Sequence, residues 1–283
     1  MCATCGCGND ETTITLAGHD HPHSHDHPHQ HEHTHAHTET ISLEQKVLAK
    51  NDLIAEQNRQ WLAERAILAL NVTSSPGAGK TTLLERTIRE LGAKRSVAVI
   101  EGDQETMLDA ERIRAAGARA VQVNTGAGCH LDADMVHRAL HALNPEPESL
   151  LFIENVGNLV CPALFDLGEH SKVVVISVTE GQDKPLKYPH MFAAAGLVLI
   201  NKIDLVPYVN FDLETCLGLA RSVNPGVEIL PVSATSGDGL DAWYDWIRTK
   251  IGDSGKLAIC PNDPLTRHSL GSKPRTSAVE SGR

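Results

Sequence analysis

An α/β fold built on a mostly parallel, doubly wound sheet is predicted by three features of the 283-residue chain. Short apolar runs recur at residues 67–72, 97–100, 120–123, 150–153, 173–178, 197–200 and 227–232. Most of the gaps between them carry stretches with helical spacing. The runs are apolar at consecutive positions, which marks strands covered by helices on both faces of a sheet. Ligands of such a sheet gather at the carboxyl ends of its strands.

Taken in chain order, residues 1–40 hold Cys2, Cys5, Cys7 and ten of the sixteen histidines, with only Ile14 and Leu16 as large aliphatic residues. Such an arm has too little apolar surface to order itself and is expected to be disordered without metal. Ser42 followed by Gln45 has the form of a capping box, and Leu43, Val47, Ile54, Trp61 and Leu62 recur near helical spacing. A leading helix over residues 42–65 follows. The seven strands then alternate with helices. Beyond Trp243, Trp246 and Ile251 the composition turns to Gly, Ser, Pro, Lys and Arg, the signature of a loose tail. The expected division is a metal-binding arm over 1–40, one folded domain with its leading helix over 41–252, and a flexible tail over 253–283. There is no internal repeat.

A formal net charge of -11 argues against a nucleic-acid footprint, which needs clustered Lys and Arg. No apolar run approaches the roughly 20 residues that cross a bilayer, and the polar start does not resemble a signal peptide. A cytoplasmic protein is expected. There Cys2, Cys5, Cys7, Cys129, Cys161, Cys216 and Cys260 are thiols rather than disulfides. Cys216 sits in a helical pattern and reads as packing.

The chemistry begins with Ser75-Pro76-Gly77-Ala78-Gly79-Lys80-Thr81-Thr82, which follows the first strand and opens a helix near Thr81. In that setting backbone N–H groups and a helix N-terminus hold phosphate. Ser74 stands where the common pattern has its first glycine. Lys80 is expected to reach the terminal phosphates and the Thr81 hydroxyl to ligate Mg2+. Asp103 and Glu154 end later strands, where carboxylates can complete an Mg2+ site beside phosphate oxygens. Asn201-Lys202-Ile203-Asp204 follows another strand. A carboxylate at Asp204 can accept from the ring N–H and exocyclic amine of guanine, a pattern adenine does not offer. Ser233 and Ala234, after the last strand, are placed to present a backbone N–H to the guanine oxygen. Residues 67–251 thus resemble the GTPase branch of P-loop proteins, with GTP and GDP as ligands.

Three groups of residues point to metal. Cys2, Cys5 and Cys7 form a C-x-x-C-x-C cluster whose thiolates suit Ni(II) in a planar arrangement or Zn(II) in a tetrahedral one. Histidine occupies every odd position from His19 to His37. A shifting set of imidazole ligands favours storage over one defined site, and retention should weaken below about pH 6.5 as imidazole protonates. The third group lies inside the domain: Cys129-His130 after one strand, and Cys161 seven residues beyond Glu154. If their strands are neighbours, these three converge on one ion. A loop that moves when the terminal phosphate leaves would carry Cys161 with it.

These residues together resemble the HypB family, GTPases of hydrogenase nickel incorporation. The resemblance rests on Cys2, Cys5 and Cys7, the histidine run, residues 75–82, Asp103, Cys129-His130, residues 154–157, Cys161 and residues 201–204. It implies a slow regulatory GTPase that dimerises with nucleotide and helps load Ni(II) into the large-subunit precursor of [NiFe]-hydrogenase, together with a HypA-type partner. It also implies a tight nickel site at the terminal cysteines, and nickel or zinc held by Cys129, His130 and Cys161 at a dimer interface. A urease-type nickel GTPase shares much of the nucleotide chemistry, and a nickel storage protein is a third alternative. The terminal cysteines and the Cys129-His130 pair favour the hydrogenase reading.

Overall fold

The structure is a computed structural model that describes residues 35–103, 108–126 and 128–257. The cysteine cluster Cys2, Cys5 and Cys7, most of the histidine run and the end of the tail lie outside the described residues.

Seven parallel strands form one sheet in the order β3-β2-β4-β1-β5-β6-β7. They are β1 (Leu68–Ser74), β2 (Val97–Asp103), β3 (Arg119–Asn124), β4 (Leu150–Gly157), β5 (Ser171–Ser177), β6 (Leu197–Asn201) and β7 (Glu228–Pro231). All seven match the apolar runs. The helices are α1 (His35–Glu64), α2 (Lys80–Leu91), α3 (Leu108–Ala115), α4 (Ala133–Leu143), α5 (Lys184–Lys187), α6 (Pro189–Ala194), α7 (Leu213–Val223) and α8 (Leu240–Leu257).

Successive residues of a strand serve opposite faces, so each central strand feeds two cores. Leu68, Leu70 and Val72 pack with Leu83, Leu84 and Ile88 of α2 and Trp243 and Ile247 of α8. On the other face, Ala69, Leu151 and Ile153 meet Leu62 of α1 and Val136 and Leu140 of α4. Farther along, Val174, Ile176, Val198 and Ile200 pack with Met191 and Phe192 of α6 and Cys216 of α7. Cys216 is packing, as expected, and burial pushes its thiol up to about 11.

The leading helix departs from the sequence reading at its start. It begins at His35 and runs through Ser42, so Ser42 and Gln45 do not cap it. Residues 35–41 contain neither Gly nor Pro, and nothing in them breaks a helix. Its docking is polar as well as apolar. Buried Asn58 donates to Ala133 O at 2.9 Å and Leu167 O at 3.1 Å, and Asn51 accepts from Ala133 N at 2.9 Å. At the other end, α8 continues to Leu257, five residues into the tail expected from residue 253.

Strand order places the site. β1 lies between β4 and β5, and β4 lies between β1 and β2. The loop after β1 therefore faces the ends of the two strands that carry Asp103 and Glu154.

Candidate nucleotide and metal site

The phosphate loop turns from β1 into α2 through two left-handed glycines, Gly77 at φ 73° and Gly79 at φ 96°. A side chain is disfavoured at both. Gly79 is also tight, since a Cβ there would lie 2.6 Å from Asn201 Nδ2. Lys80 begins α2, one residue before the expected Thr81. Its Nζ donates to Ser74 Oγ at 2.9 Å, and Ser74 Oγ donates to Ser75 O at 2.6 Å. The serine that departs from the common pattern thus holds the lysine. Gly77, Gly79, Lys80, Thr81 and Thr82 line a cavity of about 560 Å3 together with residues from β2, β4 and α3. Ala78 is buried behind it.

Glu154 is not the last residue of its strand, because β4 continues three residues further to Gly157. Thr81 Oγ1 donates to Glu154 Oε1 at 2.8 Å, while Glu154 Oε2 is buried with no hydrogen-bond partner. Burial pushes this carboxyl above the usual carboxylate range. The positive charge of Lys80 and the Thr81 hydrogen bond oppose the shift. An orphaned carboxylate oxygen beside a threonine hydroxyl fits a hard divalent cation, which would supply the missing partner. Asp103 ends β2, its backbone paired with Asn124 of β3, one residue beyond cavity-lining Gly102.

The raised Glu154 pKa has a consequence for stability. A carboxyl that holds its proton longer in the folded than in the unfolded state favours folding fully below the unfolded pKa. That contribution is lost as pH rises through the folded value. The nucleotide-free protein is therefore expected to lose stability as pH climbs above the ordinary carboxylate range. Glu154→Gln should flatten this slope, as measured by denaturant unfolding at a series of pH values. An unchanged slope in the variant would contradict the assignment.

At the end of β6, buried Asn201 ties two loops together. Its Nδ2 donates to Ala78 O at 2.9 Å and its Oδ1 accepts from Ala234 N at 3.0 Å. Lys202 takes a left-handed conformation at φ 63° and donates from Nζ to Gly77 O at 2.7 Å, so its stem spans from β6 to the phosphate loop. Asp204 is oriented by Ser233, whose Oγ donates to Oδ1 at 2.5 Å. The Ser233 N–H donates to Asp238 O at 2.8 Å. Both expected amides of Ser233 and Ala234 are thus engaged internally, and base binding at Ala234 would exchange its bond to Asn201.

Cys129, His130 and Cys161 do converge: one ligand atom of each lies within 4.8 Å of the others. The thiols of Cys129 and Cys161 are 3.0 Å apart, and Cys129 Sγ is 3.6 Å from His130 Nδ1. The His130 ring lies tilted against Phe165, with 4.1 Å between ring centroids. Burial lowers its pKa, with Asp132 opposing, which favours the neutral imidazole that binds metal. Two thiols and one imidazole form three sides of a site for a soft or borderline ion.

Several residues of the site were not singled out in the sequence. Asp109 accepts from Thr81 Oγ1 at 3.3 Å, and Arg112 reaches Asp109 at 3.0 Å and Thr82 Oγ1 at 3.3 Å. Lys184 donates to Ser75 Oγ at 2.9 Å. Buried Lys172 donates to Pro162 O at 2.8 Å, directly after Cys161. None of the four lies in a recognisable motif, so no local sequence signal marks them.

Residues 68–231 match the family described as "CobW/HypB/UreG, nucleotide-binding domain". Hydrogenase maturation factor HypB of Escherichia coli K12 is 60% identical over 210 residues, covering 74% of this chain and 72% of that protein. The HypB of Rhizobium leguminosarum bv. viciae is 58% identical, covering 73% and 69%. Two solved structures are similar. HypB from Archaeoglobus fulgidus matches with a TM-score of 0.67 at 41% identity, over 72% of this chain and 99% of that one. HypB from Helicobacter pylori in complex with nickel matches with a TM-score of 0.68 at 37% identity, over 72% and 96%. With the family match spanning residues 68–231 and a HypB relative 60% identical over 210 residues, this chain belongs to the HypB family of hydrogenase maturation factors.

Proposed function

We propose that this protein hydrolyses GTP slowly and uses the nucleotide state to deliver Ni(II) to the large-subunit precursor of [NiFe]-hydrogenase. The observation that carries the reading is shared mechanical ground. β4 supplies Glu154 to the nucleotide cavity and leads within seven residues to Cys161 of the metal cluster. In this reading Lys80 and the amides of residues 77–81 hold the phosphates, and Thr81, Asp103 and Glu154 hold Mg2+. When bound there, Mg2+ would supply the positive charge that offsets charge developing on the transferred phosphoryl group. Asp204, Lys202 and Asn201 form the guanine end of the site with Ser233 and Ala234.

Nickel is the cargo, taken by Cys129, His130 and Cys161, with Zn(II) as the competing ion for a tetrahedral arrangement. A relative solved with nickel supports this choice. A fourth ligand and a second subunit fit together. Val160 and Leu164, exposed apolar residues flanking Cys161, offer a homodimer surface beside the cluster. Cys2, Cys5 and Cys7 form the high-affinity nickel site and His19 to His37 a store that feeds it. A HypA-type protein is the partner in transfer, and the setting is cytoplasmic. Among the described residues no helix is long and apolar enough to cross a membrane.

Deleting the gene and measuring hydrogenase and urease activities with and without added nickel tests the reading. Hydrogenase alone is expected to fail and to recover partly with nickel. Loss of urease instead would favour the urease-type alternative, a live comparison because one relative is named a hydrogenase/urease maturation factor. Survival of both enzymes except under nickel starvation would favour storage.

A further inference from the structure

The two halves of the metal cluster come from different places. Cys129 and His130 lie between β3 and α4, while Cys161 opens a short 3-10 turn, Cys161–Ala163, beyond β4. Asn158 is one side chain that joins them. Asn158 Nδ2 donates to Cys129 O at 3.2 Å, and Asn158 Oδ1 accepts from Val160 N at 2.9 Å, the residue before Cys161. Its neighbour Leu159 is 3% exposed and anchors the segment in the core. A second tie lies deeper. Asn155 Oδ1, on a residue 1% exposed, accepts from Leu131 N at 3.1 Å, directly after His130. Leu131 is itself fully buried against Gly102, where a Cβ would approach its Cγ to 2.7 Å.

These two ties differ in kind. The Asn155 bond is buried and braced from β2, so it acts as a fixed pivot for the loop bearing Cys129 and His130. The Asn158 bond is half-buried, and Asn158 lies between the two thiol-bearing segments. We infer that Asn158 is the latch of the metal cluster, a positioning residue whose two-sided hydrogen bonding sets the spacing of Cys129 and Cys161. Without it the Cys161 turn keeps its fold but is no longer held against the Cys129 carbonyl, and both thiolates cannot stay within bonding distance of one ion. The inference rests on reading Cys129, His130 and Cys161 as a metal site. On binding, the two thiol protons pass to solvent and the ion takes both sulfur lone pairs.

Asn158→Asp separates this from a charge effect. The aspartate keeps the acceptor for Val160 N and loses only the donor to Cys129 O, while adding a negative charge beside a cation site. Electrostatics alone predicts tighter binding; the latch predicts weaker. The test is titration of Co2+ into the full-length chain carrying Cys2→Ser, Cys5→Ser, Cys7→Ser and Cys260→Ser, with GDP bound. Thiolate-to-cobalt charge-transfer absorption then reports the inner cysteines and is blind to the histidine run. Asn158→Asp and Asn158→Ala are each expected to weaken this binding by about 10- to 100-fold, the usual range for a residue supporting a metal ligand. Equal or tighter binding by Asn158→Asp overturns the latch. Absence of thiolate binding in the parent overturns the metal reading itself and the latch with it. Nucleotide binding, read separately, reports whether each variant folds. If neither does, exchange of the Val160 amide in the unaltered chain decides: slower exchange with Co2+ supports the latch, and unchanged exchange overturns it.

Discussion

Replacing Lys80 with alanine is expected to lower GTP turnover by at least about 10^2- to 10^3-fold, the scale at which one charge-stabilising group is lost from an active site. The lysine stands at the head of α2 with its Nζ on Ser74 Oγ, 2.9 Å away, in position to exchange that neutral partner for phosphate oxygens. No other described lysine opens α2, and its charge also opposes the upward pKa shift of Glu154. Removing it leaves Glu154 with less reason to ionise and so weakens the cation site too. Metal binding by the inner cluster should be unchanged within about threefold in the GDP-free chain, because its ties run through Asn155, Asn158 and Lys172. Turnover by radiolabelled phosphate release and Co2+ titration check the two halves. Loss of both would mean that the modules are not separable.

Much of this architecture was legible because a parallel sheet buries both faces of its strands. Residues 173–176 lie alternately in two cores, Val173 and Val175 in one and Val174 and Ile176 in the other, so the run is apolar throughout. The phosphate loop and residues 201–204 were legible for a different reason: both recruit backbone and side chain within a few residues. What stayed hidden was set by strand order. That β4 lies between β1 and β2 brings Leu131 onto Asn155, and no local pattern encodes that adjacency. Asp109 and Arg112 were missed likewise, since only the packing of α3 against α2 brings them to Thr81 and Thr82. The start of α1 was misplaced because Ser42 and Gln45 have cap-like chemistry, yet a cap acts only where the preceding residues leave the helix.

The largest coupled effect is expected in the metal affinity itself. In the same cysteine-substituted full-length chain, the inner cluster should bind Ni2+ or Co2+ with affinities that differ by about 5- to 150-fold between GDP and a non-hydrolysable GTP analogue, the usual range of coupling between linked sites. The route is short. Glu154 touches Thr81, and three residues on, Gly157 pairs with Ser74 and lies so close to the loop that a Cβ would sit 3.2 Å from Pro76 Cα. A terminal phosphate that draws on this segment must displace Gly157 or its neighbours, and Cys161 follows four residues later. The Cys129-His130 half is anchored deeper, by the buried Asn155 bond and the brace of Gly102 on Leu131, so displacement of the segment beyond Asn155 strains the Asn158 tie and changes the spacing between the halves. By reciprocity, metal must shift the relative affinities for GDP and the analogue by the same factor, a second measurement on the same material. A dimer sharing the ligand set would steepen the response. Equal metal affinities in both nucleotides, with equal dimerisation, would leave hydrolysis with no hold on the cargo and would sink the delivery mechanism, even if the chain still hydrolysed GTP and still bound nickel.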